Sequence, residues 1–303
     1  MITKFGKRFL TSYIAGSVGF AQKDLAFGIG TTAVNAKGND TRLEFEFYRL
    51  PATLGSIDIS QTGVDVDNDP VFSYTAIYKA TIPQDIAGVI SEVGLYPGTR
   101  TSSNNYDSQF LTDFENNLLW SDGTYNPILR PNSSSPLFTA KIGENMVQYN
   151  VTASLSKEYK NSLVSYDLSG YSVNDTISIA YKKMDSNVSK IRIKLYSSDA
   201  SYCWVDFTPL SGTGDKIQST TLNNLFSNVT ATSPDFTNIT RIGVEVTAGS
   251  GGDTEVYFDG IRINDEDTFD PTYGIISRSV LSTPLAKVSG RPVDIEYRVV
   301  LGF

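Results

Sequence analysis

Residues 189–207 read SKIRIKLYSSDASYCWVDF. Apolar residues stand at every second position, Ile191, Ile193 and Leu195 before the polar break and Cys203, Val205 and Phe207 after it. A period of two is the mark of a half-buried strand. On such a strand Tyr202 and Trp204 share one face and Cys203 takes the other. The same alternation recurs at 42–50, 71–82, 176–184, 241–248, 255–263 and 293–303. Strands with one wet face build antiparallel sheets, which points to sandwiches and away from a doubly wound fold. Helical patterns are scarce, and 5–16 and 107–120 are the best of them.

Composition agrees. The 303 residues are 40% hydrophobic and 19% charged, with 17 Tyr and 16 Phe, and Ser, Thr, Asn and Gly fill the gaps between apolar runs. The length suffices for two ordinary domains. A net charge of −8 with scattered Lys and Arg argues against nucleic acid as a partner. No apolar run is long enough to suggest a membrane span. One Cys excludes an internal disulfide. The absence of His removes the usual base near neutral pH, the usual partner of a Ser or Cys nucleophile, and the commonest zinc ligand.

Two segments read as junctions. YNPILRPNSSS (125–135) is rich in Pro, Asn and Ser, and NDEDTFDPTYG (264–274) is acidic and ends on a turn. The block between them has the size of one jelly roll, and the tail after it is too short to fold alone. The expectation is therefore a split first domain, 1–138 plus 272–303, carrying an inserted jelly-roll module, 139–271.

Several motifs mimic sites. LAFGIGTTAV (25–34) has the spacing of a dinucleotide-binding turn, but VNAKGNDTR follows it and cannot start the required helix. DVDNDP alternates Asp65, Asp67 and Asp69 as calcium loops do, yet Pro70 and Ala76 stand where an EF-hand needs Gly and Glu. Near the module's end, Asp259, Asp265 and Asp267 offer oxygen ligands for a structural calcium, with plain surface solvation as the alternative. Glu92, Asp113 and Glu115 could be cast as hydrolytic carboxylates, but nothing in their spacing selects a pair. No catalytic residue is assigned. Seven N-x-[ST] sequons (Asn39, Asn132, Asn150, Asn174, Asn187, Asn228, Asn238) match by chance in a chain rich in turn residues. Lys4, Lys7 and Arg8 before FLTSYIAGSVGFA imitate a cleaved leader, but polar residues break its apolar stretch. Cys203 reads as a buried structural thiol. Tyr202 and Trp204 are either core or, on an exposed face, a stacking platform for a sugar ring.

FGIGTT (27–32), DTRLEFEFYRLPATLGSIDIS (40–60) and YKATIPQDIAGVISEVGLYPG (78–98), closed by RSVLSTPLAKVSGRPVDIEYRVVLGF (278–303), resemble the baseplate-proximal N-terminal domain of tail-fibre and collar-fibre proteins of tailed bacteriophages. The matching positions are Gly28, Gly30, Tyr48, Arg49, Pro51, Glu92, Gly94, Leu95 and Tyr96. In that family a short turn joins the EVGLY-type strand to the closing strands. Here a long insert intervenes, and it resembles carbohydrate-binding jelly rolls. The resemblance implies a non-enzymatic virion protein, assembled in the host cytoplasm. It would dock on the baseplate, the neck or another fibre and project the inserted module to brace subunits or hold host glycan weakly. It implies other virion proteins and further copies of the chain as partners. A capsid-surface or head-fibre protein, and a secreted carbohydrate-binding module, are the alternatives. No repetitive shaft follows the closing strands, so a full-length fibre is not expected.

Overall fold

The computed structural model describes residues 2–3, 6–7, 23–36, 38–97, 109–132, 140–264 and 274–302. The chain forms two compact units, Met1–Thr101 with Asp267–Phe303, and Ser102–Glu266. The first unit opens with β1 (Lys23–Gly28), β2 (Glu46–Val64), β3 (Pro70–Ile82) and β4 (Gly88–Tyr96). The second contains β5 (Gln109–Thr112), β6 (Trp120–Ser121), β7 (Ile128–Pro131), β8 (Asn145–Val151), β9 (Ser156–Asn161) and β10 (Thr176–Lys183). It continues through β11 (Val188–Ser198), β12 (Ser201–Phe207), β13 (Gly214–Thr221), the short helix α1 (Leu222–Phe226), β14 (Arg241–Ala248) and β15 (Thr254–Asn264). The chain then returns to the first unit with β16 (Ser277–Lys287) and β17 (Val293–Gly302). Every pairing of these strands is antiparallel, so the fold is all-β as the alternation requires.

The first unit is a six-stranded sheet in the order β16-β4-β1-β2-β3-β17. Leu25 and Phe27 of β1 point into its main core with Ile90, Val93, Leu95, Tyr297 and Val299. Ala26, between them in sequence, points the other way and meets Leu43, Tyr96 and Ile275 in a second, smaller cluster. Both faces of β1 are thus covered, which is why KDLAFG is buried at every position.

The second unit is a β-sandwich. One sheet runs β13-β10-β15-β8-β7, with β5 also on β15, and the other runs β12-β11-β14-β9-β6. Ile191, Ile193 and Leu195 of β11, with Cys203, Val205 and Phe207 of β12, meet Ile177, Ile179, Val147 and Phe258 from the other sheet in one continuous core. Burying each such aliphatic side chain contributes roughly 1.5–3 kcal/mol, so the alternating register is strongly fixed. One group in this core is badly placed. The Tyr149 hydroxyl is buried without a hydrogen-bond partner among the described residues, while its ring packs edge-on against Tyr159 and Phe258. Tyr149→Phe keeps the ring and removes the orphan hydroxyl. It is expected to raise unfolding stability by about 1 kcal/mol in a urea titration, and a loss would contradict this account.

Two expectations are corrected here. The first junction lies at 101/102 and not at 138, because β5, β6 and β7 pair with β15, β9 and β8 inside the second unit. Within 125–135, Ile128–Pro131 is strand β7, paired with β8, and composition alone does not separate such a stretch from a linker. The second junction lies at 266/267, near the expected 271/272. The helix expected over 107–120 is a strand, an open loop and a single 3-10 turn at Asn117–Leu119. Pairing with β15 and the burial of Leu111, Phe114 and Trp120 in the sandwich core override the local pattern. The segment 5–16 lies almost wholly outside the described residues, as does the leader-like stretch.

Candidate functional site

The side of the β12-β11-β14-β9 sheet turned away from the core carries aromatic rings among paired charges. Register brings them together: Lys194 lies opposite Trp204 on β12 and Gly243 on β14, and Tyr196 lies opposite Tyr202. Tyr202 and Trp204 are half-buried, and their rings sit 5.8 Å apart, with Tyr196 4.7 Å from Tyr202. Arg192 holds Asp206 with two bonds of 2.6 and 2.8 Å and lies 5.4 Å from the Trp204 ring. That pair raises the guanidinium's pKa and lowers the carboxyl's.

At the centre the Lys194 ammonium donates to Glu158 at 3.0 Å and to Glu245 at 2.7 Å. Burial is the largest single influence on Lys194 and opposes its charge, but the two carboxylates together outweigh it and raise its pKa. The Tyr196 hydroxyl donates to Glu158 at 2.6 Å, and burial followed by that bond pushes the phenol far above its usual range. Gly243 makes this packing possible, since a Cβ there would collide with the Glu158 carboxylate and press on the Tyr196 ring.

The result is a face on which Arg192 and Lys194 are paired with carboxylates, Lys160 lies 4.9 Å from the ring of the buried Tyr196, and the half-buried Tyr202 and Trp204 supply aromatic surface. Exposed rings stack on the C–H face of a sugar, and fixed carboxylates and guanidinium groups bond its hydroxyls. Of these residues the sequence reading singled out Tyr202 and Trp204. Arg192, Lys194 and Tyr196 alternate with the core residues of β11, so the alternation itself carried their signal. Their partners on β9 and β14 needed the strand order, which the sequence does not supply.

Cys203 points to the opposite side, into the core, where it is fully buried. Burial pushes its thiol up to about 12, so thiolate is scarce at neutral pH. The native protein is expected to leave a disulfide-exchange reagent unreacted at pH 8 and to release one equivalent of thiol on denaturation. Rapid reaction of the native chain would contradict this burial.

The residues of the fibre-like motif build the first unit from within. The Glu92 carboxylate is wholly buried and accepts backbone N–H groups from Gly30 at 3.1 Å, Glu44 at 3.1 Å and Phe45 at 3.0 Å. Arg278 pairs with it at 2.8 Å and with Asp40 at 2.9 Å. A Cβ at Gly28 or Gly30 would enter the space of that carboxylate, and one at Gly94 would strike Ile275 and Leu43. These glycines are thus explained by close approach, and the phosphate-loop reading of LAFGIGTTAV has no helix to rest on: β1 leads through a loop to antiparallel β2. Tyr96 accepts the Leu43 N–H at 3.1 Å through its hydroxyl, and Arg49 lies 3.8 Å over its ring while gripping Glu46 at 2.7 Å. Leu95 is in the main core, Tyr48 packs against it, and Pro51 is exposed. These residues serve the interior of the first unit, with few of them on the surface.

The other carboxylates also have structural partners. Asp259 is buried and accepts the N–H groups of Lys141 at 2.7 Å and Ile142 at 3.3 Å, and burial raises its pKa well above the carboxylate range. Asp265 and Asp267, named with it for calcium, lie outside the described residues. Glu115 accepts N–H groups from Glu144 and Asn145, both at 3.0 Å, and Asp113 caps the Glu115 N–H at 3.2 Å. Asp65 folds its own turn by accepting from Asp67 and Asp69, both at 2.9 Å. Among the described residues no three acidic, Cys or His side chains gather as a metal site.

No family model and no curated protein matches this chain. Among solved structures it is similar to an agarase, at 12% identity and a TM-score of 0.37 over 55% of this chain, which spans 26% of the agarase. It is also similar to the family 11 carbohydrate-binding module of Clostridium thermocellum in complex with a β-1,3-1,4-mixed-linked tetrasaccharide, at 19% identity and a TM-score of 0.36, covering 52% of this chain and 95% of the module. A third is a carbohydrate-binding module specific for non-crystalline cellulose, at 10% identity and a TM-score of 0.29 over 45% of this chain and 86% of that one. At such TM-scores these likenesses carry no argument about function.

Proposed function

We propose that this protein is a non-enzymatic structural component of a tailed-bacteriophage virion whose second unit holds host-surface glycan. The observation that carries the glycan reading is the Tyr202–Trp204 face, with rings in contact with water beside fixed charge pairs. The virion reading is supported by the fibre-like motif, whose Gly28, Gly30, Arg49, Glu92, Gly94 and Tyr96 act together in one structural brace. In this reading the first unit docks on the tail, baseplate or neck, and the second faces outward. Weak binding per copy suffices, because several copies on one particle act together. Gold-labelled antibody against the chain should decorate the tail or neck of intact virions. Label spread over the capsid would contradict that docking, and release of reducing sugar from host polysaccharide by the purified chain would contradict the non-enzymatic assignment.

A further inference from the structure

In the first unit, β2, β3 and β17 form a ribbon whose two faces differ in kind. Cross-strand partners share a face, so register sorts them. Leu54 stands with Tyr78 and Tyr297, Ile57 with Ala76 and Val299, Ile59 with Tyr74, and Gln61 with Phe72. The opposite face carries Thr53, Ser56, Asp58 and Ser60 with Ser73, Thr75, Lys79, Glu296 and Arg298, and among them Ile77 and the exposed Val300. Near β1 and β4 the apolar face is covered, and Ala52, Ile82, Tyr297 and Val299 belong to the main core. Farther along, the same face runs into water: Leu54, Ile57 and Ile59 are 52%, 58% and 60% exposed, and Phe72 and Tyr74 are 38% and 36% exposed.

We infer that this face is the interface between copies of the chain. No charged residue stands on it among the described residues, so it offers nothing by which a partner of particular charge would be selected. These five side chains leave on the order of 500 Å² of apolar surface in water, at the upper limit for one patch on a monomer. Two such faces laid together, as sheets pack at about 10 Å, bury roughly 1,000 Å², the lower bound for a biological interface. A second copy brings the same apolar face by construction, because a two-fold contact sets each surface against itself. The ribbon also has free edges, since β1 pairs only with the first part of β2 and the outer edge of β17 has no partner among the described strands.

The inference rests on the ribbon alone and is independent of the glycan face. Light scattering on the full chain after size exclusion, from 1 to 100 μM, is expected to give a multiple of the 33.1 kDa chain mass. Ile59→Lys with Tyr74→Lys, both at exposed positions, should return it to a monomer. Unchanged circular dichroism and a still-protected Cys203 would show that the variant is folded. A wild-type monomer across the whole range, or an oligomer that the folded double variant leaves intact, would overturn the assignment. Ile59→Cys supplies a second readout: oxidation should cross-link copies in high yield only if this face is shared, and absence of cross-linking in an oligomer would also overturn it.

Discussion

Glu92→Ala is expected to lower the stability of the first unit by about 3–5 kcal/mol, the loss typical of removing one partner from a buried ion pair. The carboxylate is wholly buried, and it satisfies three backbone N–H groups at 3.0–3.1 Å as well as Arg278. Alanine leaves those donors unmet and removes one of the two carboxylates that Arg278, itself buried, pairs with among the described residues. Glu92→Gln should lose less, because an amide oxygen of the same shape still accepts. The measurement is urea unfolding followed by far-UV circular dichroism, with the first unit's transition moving to lower denaturant. A loss below about 1 kcal/mol for alanine would mean that the pair is dispensable and that water replaces it.

Trp204→Ala is expected to weaken glycan retention on the order of tenfold to a hundredfold, as truncation of a central aromatic anchor does. The ring is half-buried, so it is held in place by Tyr202 and the Arg192 guanidinium and still meets solvent. It is absent from the sandwich core, so its removal should leave the fold intact. Arg192→Met tests the same face differently. It keeps much of the side-chain bulk beside the indole but strips the bond donors and frees Asp206, and a several-fold loss is expected. Equal retention by wild type and Trp204→Ala would move the site elsewhere.

The fold class was legible in the sequence because the second unit's strands bury one side and wet the other. IRIKL and YCWVDF could hardly do anything else without exposing isoleucine or burying arginine. The domain boundary was not legible, because 109–132 contributes only short strands, and the partners of β5 and β6 lie far away in sequence. The same distance hid the helix error at 107–120, where tertiary pairing decided. Half of the candidate site was readable: strand phase put Tyr202 and Trp204 together, but which side faced the core depended on the other sheet. Glu158 and Glu245 became site residues only through the order β11-β14-β9. Glycines were the most misleading letters. Gly28 and Gly30 imitate a phosphate loop in spacing, whereas their cause is a glutamate 62 residues past Gly30, packed against the backbone.

The central claim is that the Trp204 face takes a sugar ring, and the protein's own fluorescence tests it. Of its two tryptophans, Trp120 is buried in the core and Trp204 is partly open to solvent. Titrating the full chain with purified host-surface polysaccharide should therefore give a saturable change in emission, competed by its oligosaccharides, retained in Trp120→Phe and lost in Trp204→Phe. No change on titration, or a change that survives in Trp204→Phe, would contradict the claim.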